Sequence, residues 1–256
     1  MFVSVEGIEA SGKSTVVNEV ARRLRQDRWS VDLLREFAPS HSRAPVEDAV
    51  RKSIFFSLGF EEGPRAALLY MLYHEAVKWD RATGLSRDVM LADRFLDSIV
   101  AYQGQFLPAD ISIDTAMLEE QIAGLMRQIG IPIPDQTYLL DVSPELCAER
   151  FARREGRPLT DFELAQITQI RASFLALARS NSRIMVVDAS DALESVVDLI
   201  SEDLRWRLEG RRRDHPGNGL LLPRPPLRWA NSEQSSATGA SRQRLESGGV
   251  VPSTDP

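Results

Sequence analysis

The stretch FVSVEGIEASGKST, Phe2 to Thr15, decides the fold. Its first five residues, Phe2–Glu6, are short and apolar-rich, the pattern of a strand buried in a sheet. From Gly7 the chain satisfies G-x-x-x-x-G-K-[ST], and Lys13–Gln26 then carries the spacing of an amphipathic helix. Strand, glycine-bounded loop and helix, in that order, are what triphosphate binding requires. Gly7 and Gly12 allow tight turns that aim successive backbone N–H groups into an anion nest, and the helix adds the positive end of its dipole. Lys13 is placed to reach the β- and γ-phosphates, and the Ser14 hydroxyl to ligate Mg²⁺. Gly7, Ile8, Glu9, Ala10, Ser11, Gly12, Lys13, Ser14 and Thr15 are therefore the expected cradle for ATP.

The same alternation continues outward. Candidate strands are Phe2–Glu6, Ser30–Arg35, Asp88–Asp93, Thr137–Val142 and Arg183–Ala189, each read as apolar on both faces. Between and after them lie helical patterns at Lys13–Gln26, Val46–Leu58, Pro64–Thr83, Asp114–Ile129, Pro144–Arg154, Thr160–Ser180 and Leu193–Leu208. Ser143-Pro144-Glu145 puts a capping hydroxyl, a first-turn proline and an acid in the order of a helix start. The expected fold is an α/β, three-layer P-loop NTPase sandwich: a five-stranded parallel sheet with helices on both faces. One domain, residues 1–209, should hold it. From Gly210 to Pro256 the chain is heavy in Pro, Gly, Ser and Gln, so a mostly disordered tail is expected there, with LLLPRPPLRW as a candidate polyproline-II segment.

Composition narrows the classes. The 256 residues are 43% hydrophobic and 27% charged, enough for a sizeable core, and the net charge of -6 argues against general nucleic-acid affinity. The N-terminus has no basic, apolar leader and no later stretch reads as a bilayer span, so a cytoplasmic protein without membrane association is expected. Cys147 is the single cysteine, and its helical setting reads as an inert buried thiol. Only Lys13, Lys52 and Lys78 are lysines among 31 basic residues, so each lysine marks a position where Arg was not used.

A third signal is Asp93-Arg94, two opposite charges ending the apolar run Val89–Ala92. Ligands of open parallel sheets sit at the carboxyl ends of strands, so this pair can share a crevice with the Gly7 loop. Arg94 offers a planar fork suited to a phosphate monoester, while Asp93 suits the Mg²⁺ region or the orientation of Arg94.

Four stretches in order resemble the thymidylate kinases: FVSVEGIEASGKST, DRFLDSIVAYQG, PDQTYLLDVSPELCAERFARREG and VVDASDALESVVDLI. The resemblance covers most of residues 1–205. It implies transfer of the ATP γ-phosphoryl group to dTMP, assisted by Mg²⁺. It also implies site roles: Arg94 on the acceptor phosphate with Arg35 assisting, Glu9 near the acceptor sugar or metal, Tyr102 against the sugar's 2′ side, and Tyr70 stacked on thymine. A lid at about 150–160 would carry Arg150, Arg153, Arg154 and Arg157, of which Arg154 and Arg157 are the candidate clamps on the transferring group. Ala189 and Ser190 would lie against adenine, and Ser14 and Asp93 near the metal. Members of this family are often homodimers.

Two departures qualify the substrate. REFAPSHSR, from Arg35, replaces the family's Arg-Glu-Pro-Gly-Gly-Thr, and His74 stands where an Arg often bonds a thymine carbonyl. The alternatives are another deoxynucleotide or a nucleoside as acceptor, or a nucleotide-binding regulatory module without transfer. His41, His74 and His215 suggest no triad or metal cluster, and phosphoryl transfer needs none.

Overall fold

The computed structural model describes residues 1–35, 49, 52–59, 62–82, 87–107 and 114–214. Five strands form one sheet: β1 (Phe2–Gly7), β2 (Val31–Leu34), β3 (Val89–Asp93), β4 (Gln136–Asp141) and β5 (Ile184–Asp188). Their order is β2-β3-β1-β4-β5 and every pairing is parallel. β1 is therefore central, and the chain crosses it between β3 and β4. That reversal opens a crevice at the carboxyl ends of β1 and β3.

Burial follows position in the sheet. β1 and β3 are buried throughout, whereas the edge strands are not: Asp32 and Leu33 of β2 are half-exposed, and Val186 of β5 is 45% exposed. The expectation of two apolar faces thus holds for the centre and fails at the edges, where cover is incomplete.

α1 (Lys13–Gln26) buries Val16, Val17, Val20, Ala21 and Leu24, a stripe at helical spacing, against β1, β2 and β3. α2 (Phe56–Gly59) is a single turn, and α3 (Pro64–Ala82) follows it. The expected helix Val46–Leu58 is interrupted at 53–55, because the Ser53 hydroxyl accepts the Phe55 N–H and competes with the helical ladder. After β3 the chain forms α4 (Leu96–Ser98), a π-helical turn (Ile99–Gln103) and a 3-10 turn (Gly104–Phe106), none of which the apolar spacing had marked. Asp97 at its start is fully buried. Arg183, beside β5, grips it through two bonds of 2.6 and 2.8 Å.

α5 (Thr115–Gln128), α6 (Pro144–Glu155), α7 (Asp161–Ser180) and α8 (Leu193–Asp214) complete the layers, with α7 on β4 and β5 and α8 on α1. α8 runs six residues beyond its expected end at Leu208. Its last turns are held because Arg211 pairs with Asp135 and Arg212 stacks 3.8 Å from the Trp29 ring. No helix among the described residues is long and apolar enough to cross a membrane. The expected tail beyond residue 214, the LLLPRPPLRW segment, His41, His215 and positions 36–43 of REFAPSHSR lie outside the described residues.

Candidate active site

The loop between β1 and α1 is built for an anion. Gly7 has φ +149°, and a Cβ there would fall 2.6 Å from the Leu140 carbonyl oxygen. Gly12 has φ +93° at the start of α1, where no side chain caps the helix. A Cβ at Gly12 meets nothing within 4 Å among the described residues, and the first-turn amides of a helix without a side-chain cap are donors suited to an anion. Lys13 is buried and folds back over the loop, its Nζ donating to the Ile8 carbonyl at 2.7 Å and to Ser11 Oγ at 3.3 Å. Ser14, one residue on, is exposed.

Beside this loop stands the end of β3. Val5 pairs with Asp93 in the sheet register, and the Arg94 N–H donates to the Val5 carbonyl. Arg94 adopts φ +62°, a left-handed conformation costly for a side-chain-bearing residue. That turn sends its guanidinium back across β1. Nη1 donates to the Gly7 carbonyl at 3.2 Å and to Ser98 Oγ at 3.1 Å; Nη2 donates to the Tyr102 hydroxyl at 3.2 Å. The Tyr102 ring lies 4.7 Å away, adding a cation–π contact.

Glu9 joins this cluster to the end of α6. Its carboxylate accepts from Arg94 at 3.5 Å and from Arg154 at 2.5 Å. Burial pushes the Glu9 carboxyl up, but Lys13, Arg94 and Arg154 together outweigh it and bring its pKa down to about 2. Three cations thus surround one carboxylate, leaving a local excess of positive charge in a half-enclosed space. Cys147 supports the same loop, its thiol donating to the Glu9 carbonyl. The thiol is buried as expected, and burial raises its pKa to about 11, away from the reactive thiolate.

Glu9, Arg94 and Arg154 line a cavity of about 320 Å³, together with Ser98, Tyr102 and Gln103 and the apolar side chains of Ile54, Phe56, Met71 and Phe151. Gln103 is oriented by a bond from the Ser57 hydroxyl to its Oε1. The volume and the mixture of charge with apolar surface suit a small, ring-bearing anion.

Other expected site residues lie apart from this cluster. Arg35 is exposed and donates to Asn18 on α1. Tyr70 packs 6.0 Å from the Phe56 ring and does not line the cavity, whereas Phe56 and Met71 do. His74 is buried with Nδ1 3.5 Å from Glu75, also away from the lining. Arg157 is held by both carboxylate oxygens of Glu163 at the start of α7, and Arg153 by Glu149. Arg150 donates to the Ala189 carbonyl, and the neighbouring Ser190 hydroxyl bonds Asp188. Of the four arginines around the end of α6, Arg154 is the one bonded to the phosphate loop. Ile54, Phe56, Met71 and Phe151 were not anticipated. Their apolar side chains carry no chemical signature, and only the fold separates a wall of a cavity from the core beneath it.

The family described as thymidylate kinase matches residues 5–200. The chain is 32% identical to a thymidylate kinase of Caulobacter vibrioides over 212 residues, 81% of this chain and 97% of that protein. It is likewise 32% identical to thymidylate kinases of a Marinomonas species, over 79% and 93% of the two chains, and of Rhodopseudomonas palustris, over 81% and 89%.

Proposed function

The chain belongs to the thymidylate kinase family, and from that premise we propose that it transfers the γ-phosphoryl group of ATP to dTMP, giving dTDP and ADP. The observation that carries this reading is the bond from Arg94 to the carbonyl of Gly7. The acceptor grip and the first residue of the donor cradle share one wall, which is what in-line transfer between two bound phosphates needs.

In this reading the loop amides and Lys13 hold the ATP phosphates, and Arg94 holds the dTMP phosphate. An oxygen of that phosphate, already ionised near neutral pH, bonds to the γ-phosphorus as the bond to the β–γ bridging oxygen breaks and ADP leaves. No general base is required. Arg154 is positioned to leave Glu9 for the transferring group, where a guanidinium neutralises charge on the equatorial oxygens. Tyr102, held by Arg94, bounds the sugar, and the thymine ring is assigned to the surface of Phe56 and Met71, with Gln103 supplying a polar edge. Arg35, Arg157, Ala189 and Ser190 keep the roles expected from the family as part of this proposal, whereas Tyr70 and His74, which do not line the cavity, cede the base to Phe56 and Met71.

The residues present fit Mg²⁺. Asp93 Oδ1 is buried with no hydrogen-bond partner among the described residues, and the Ser14 hydroxyl is exposed one residue past Lys13. Two hard oxygen ligands suit an ion that completes its shell with phosphate and water. Bound there, Mg²⁺ would screen the β- and γ-phosphate charges.

The proposal includes a homodimer, supported by solvent-facing Leu69 and Tyr73 on α3 and Met117 and Leu125 on α5. It also takes the cytoplasm as location, and small nucleotides rather than nucleic acid as ligands, the latter in keeping with the net charge of -6. ADP release measured across dTMP, dUMP, UMP, CMP, dGMP and thymidine tests the activity. Fastest turnover with dTMP is expected, and thymidine outpacing dTMP would replace the reading with a nucleoside kinase.

A further inference from the structure

Two buried titratable residues outside the catalytic set converge on the turn that carries Arg94. Glu6 is the last side-chain-bearing residue of β1 and is fully buried. Its Oε1 accepts the Phe95 N–H at 2.8 Å, and its Oε2 accepts the Ser98 hydroxyl at 2.5 Å. Ser98 Oγ in turn accepts from Arg94 Nη1. One carboxyl group therefore braces the residue after Arg94 and the hydroxyl that aims its guanidinium.

Lys78 approaches from α3. It is buried, donates to Glu75 Oε1 at 3.0 Å, and reaches the main-chain carbonyl of Arg94 at 3.3 Å. Lysine is scarce in this chain, and a buried ammonium costs more than an apolar residue of the same size unless its position is used. Here the compact ammonium fits between a carboxylate and a carbonyl where a forked guanidinium would not.

We propose that Glu6 and Lys78 are positioning residues for Arg94, locking the left-handed turn from which its guanidinium meets the acceptor phosphate. This rests on the reading of Arg94 as the acceptor grip. Without both braces the turn is free to relax toward an ordinary right-handed conformation, which swings the guanidinium away from Gly7. A displacement of that kind weakens acceptor binding and alignment and leaves the ATP cradle in place. A merely structural role would lower thermal stability without singling out one substrate.

The test is steady-state kinetics with dTMP and ATP varied separately, plus thermal unfolding, for Glu6→Leu, Glu6→Gln and the paired change Glu75→Gln with Lys78→Met. The paired change avoids stranding one buried charge. Glu6→Leu and the paired variant are expected to raise the dTMP KM about tenfold with the ATP KM held within about twofold, and Glu6→Gln to recover most of the loss. In an Arg94→Met background the paired change should add nothing further, since its effect passes through Arg94. Should Arg94→Met impair dTMP use while the paired variant leaves the dTMP KM untouched, or moves both KM values equally, the positioning role is wrong and the acceptor grip stands. Should Arg94→Met itself leave dTMP kinetics intact, the acceptor reading falls, and this inference with it. If Glu6→Leu does not fold, the paired variant alone decides.

Discussion

Glu9 stands between Arg94 and Arg154, accepting a bond from each, so one carboxylate ties the end of β3 to the end of α6. Its low pKa makes the link sensitive to acid in a defined direction. Burial favours the neutral form, and Lys13, Arg94 and Arg154 overcome it, lowering the value from 4.5 to about 2. A carboxylate depressed in the folded state stabilises fully above its unfolded pKa and loses that contribution as pH falls through the folded one. Glu9→Gln should therefore cost about 2 kcal/mol at pH 7, less than the full linkage value because the side chain keeps some solvent contact. Urea unfolding at pH 7 and pH 3 checks this. The gap between variant and parent must narrow at pH 3, and a gap that widens contradicts the assignment.

Glu6 carries the opposite sign. Burial, then the nearby Asp97 carboxylate, push it from 4.5 up to about 8, against bonds from Ser98 and Phe95 and the charge of Arg94. Arg183 holds Asp97 in place on its other side. Between those two pH values the unfolded chain has released a proton that the folded chain still holds, so stability declines from pH 4.5 to pH 8. Glu6→Gln has no proton to lose. Its unfolding free energy should change less over that window than the parent's, and parallel pH profiles would refute the raised pKa.

Lys13 and Arg94 grip the two phosphates separately. Lys13→Ala should depress kcat/KM on the order of a thousandfold, with its KM effect confined to ATP. Arg94→Ala should cost a comparable factor and raise the KM of dTMP instead. Initial rates with each substrate saturating in turn separate the two. Full activity in Arg94→Ala would remove the acceptor assignment.

The loop glycines differ in kind. Gly7→Ala puts a Cβ 2.6 Å from the Leu140 carbonyl oxygen, a clash of the new methyl with the backbone of the adjacent strand β4. Gly12→Ala finds open space and pays only for its φ of +93°, about 1–2 kcal/mol. Thermal unfolding should show Gly7→Ala as markedly less stable than Gly12→Ala. Equal losses would mean that the loop rearranges around Gly7.

The order of elements along the chain was legible because its signals are local. The apolar runs of β1 and β3, the glycine loop, and the Ser143-Pro144 and Thr160 helix starts all act within a few residues of themselves, and the structure places them within a residue or two. The composite helix from Leu96 to Phe106 was not legible. Its π-helical segment shifts the residue period, so the usual helical spacing does not register there. The break at Ser53 was hidden for a related reason: a hydroxyl capturing a backbone N–H leaves the apolar pattern intact.

The sequence by itself determined that a triphosphate cradle opens a parallel α/β fold, since glycine freedom, a helix dipole and a buried strand are properties of adjacent residues. Tertiary structure decided which of the candidate charges meet, and through which partners. Arg94 meets Gly7 across 87 positions and Arg154 meets Glu9 across 145, while Arg157, a few residues on, is held by Glu163 instead. Those partnerships follow from β1 lying between β3 and β4 in the sheet, an arrangement set by the burial of whole strands and helices together, which no short stretch of sequence contains.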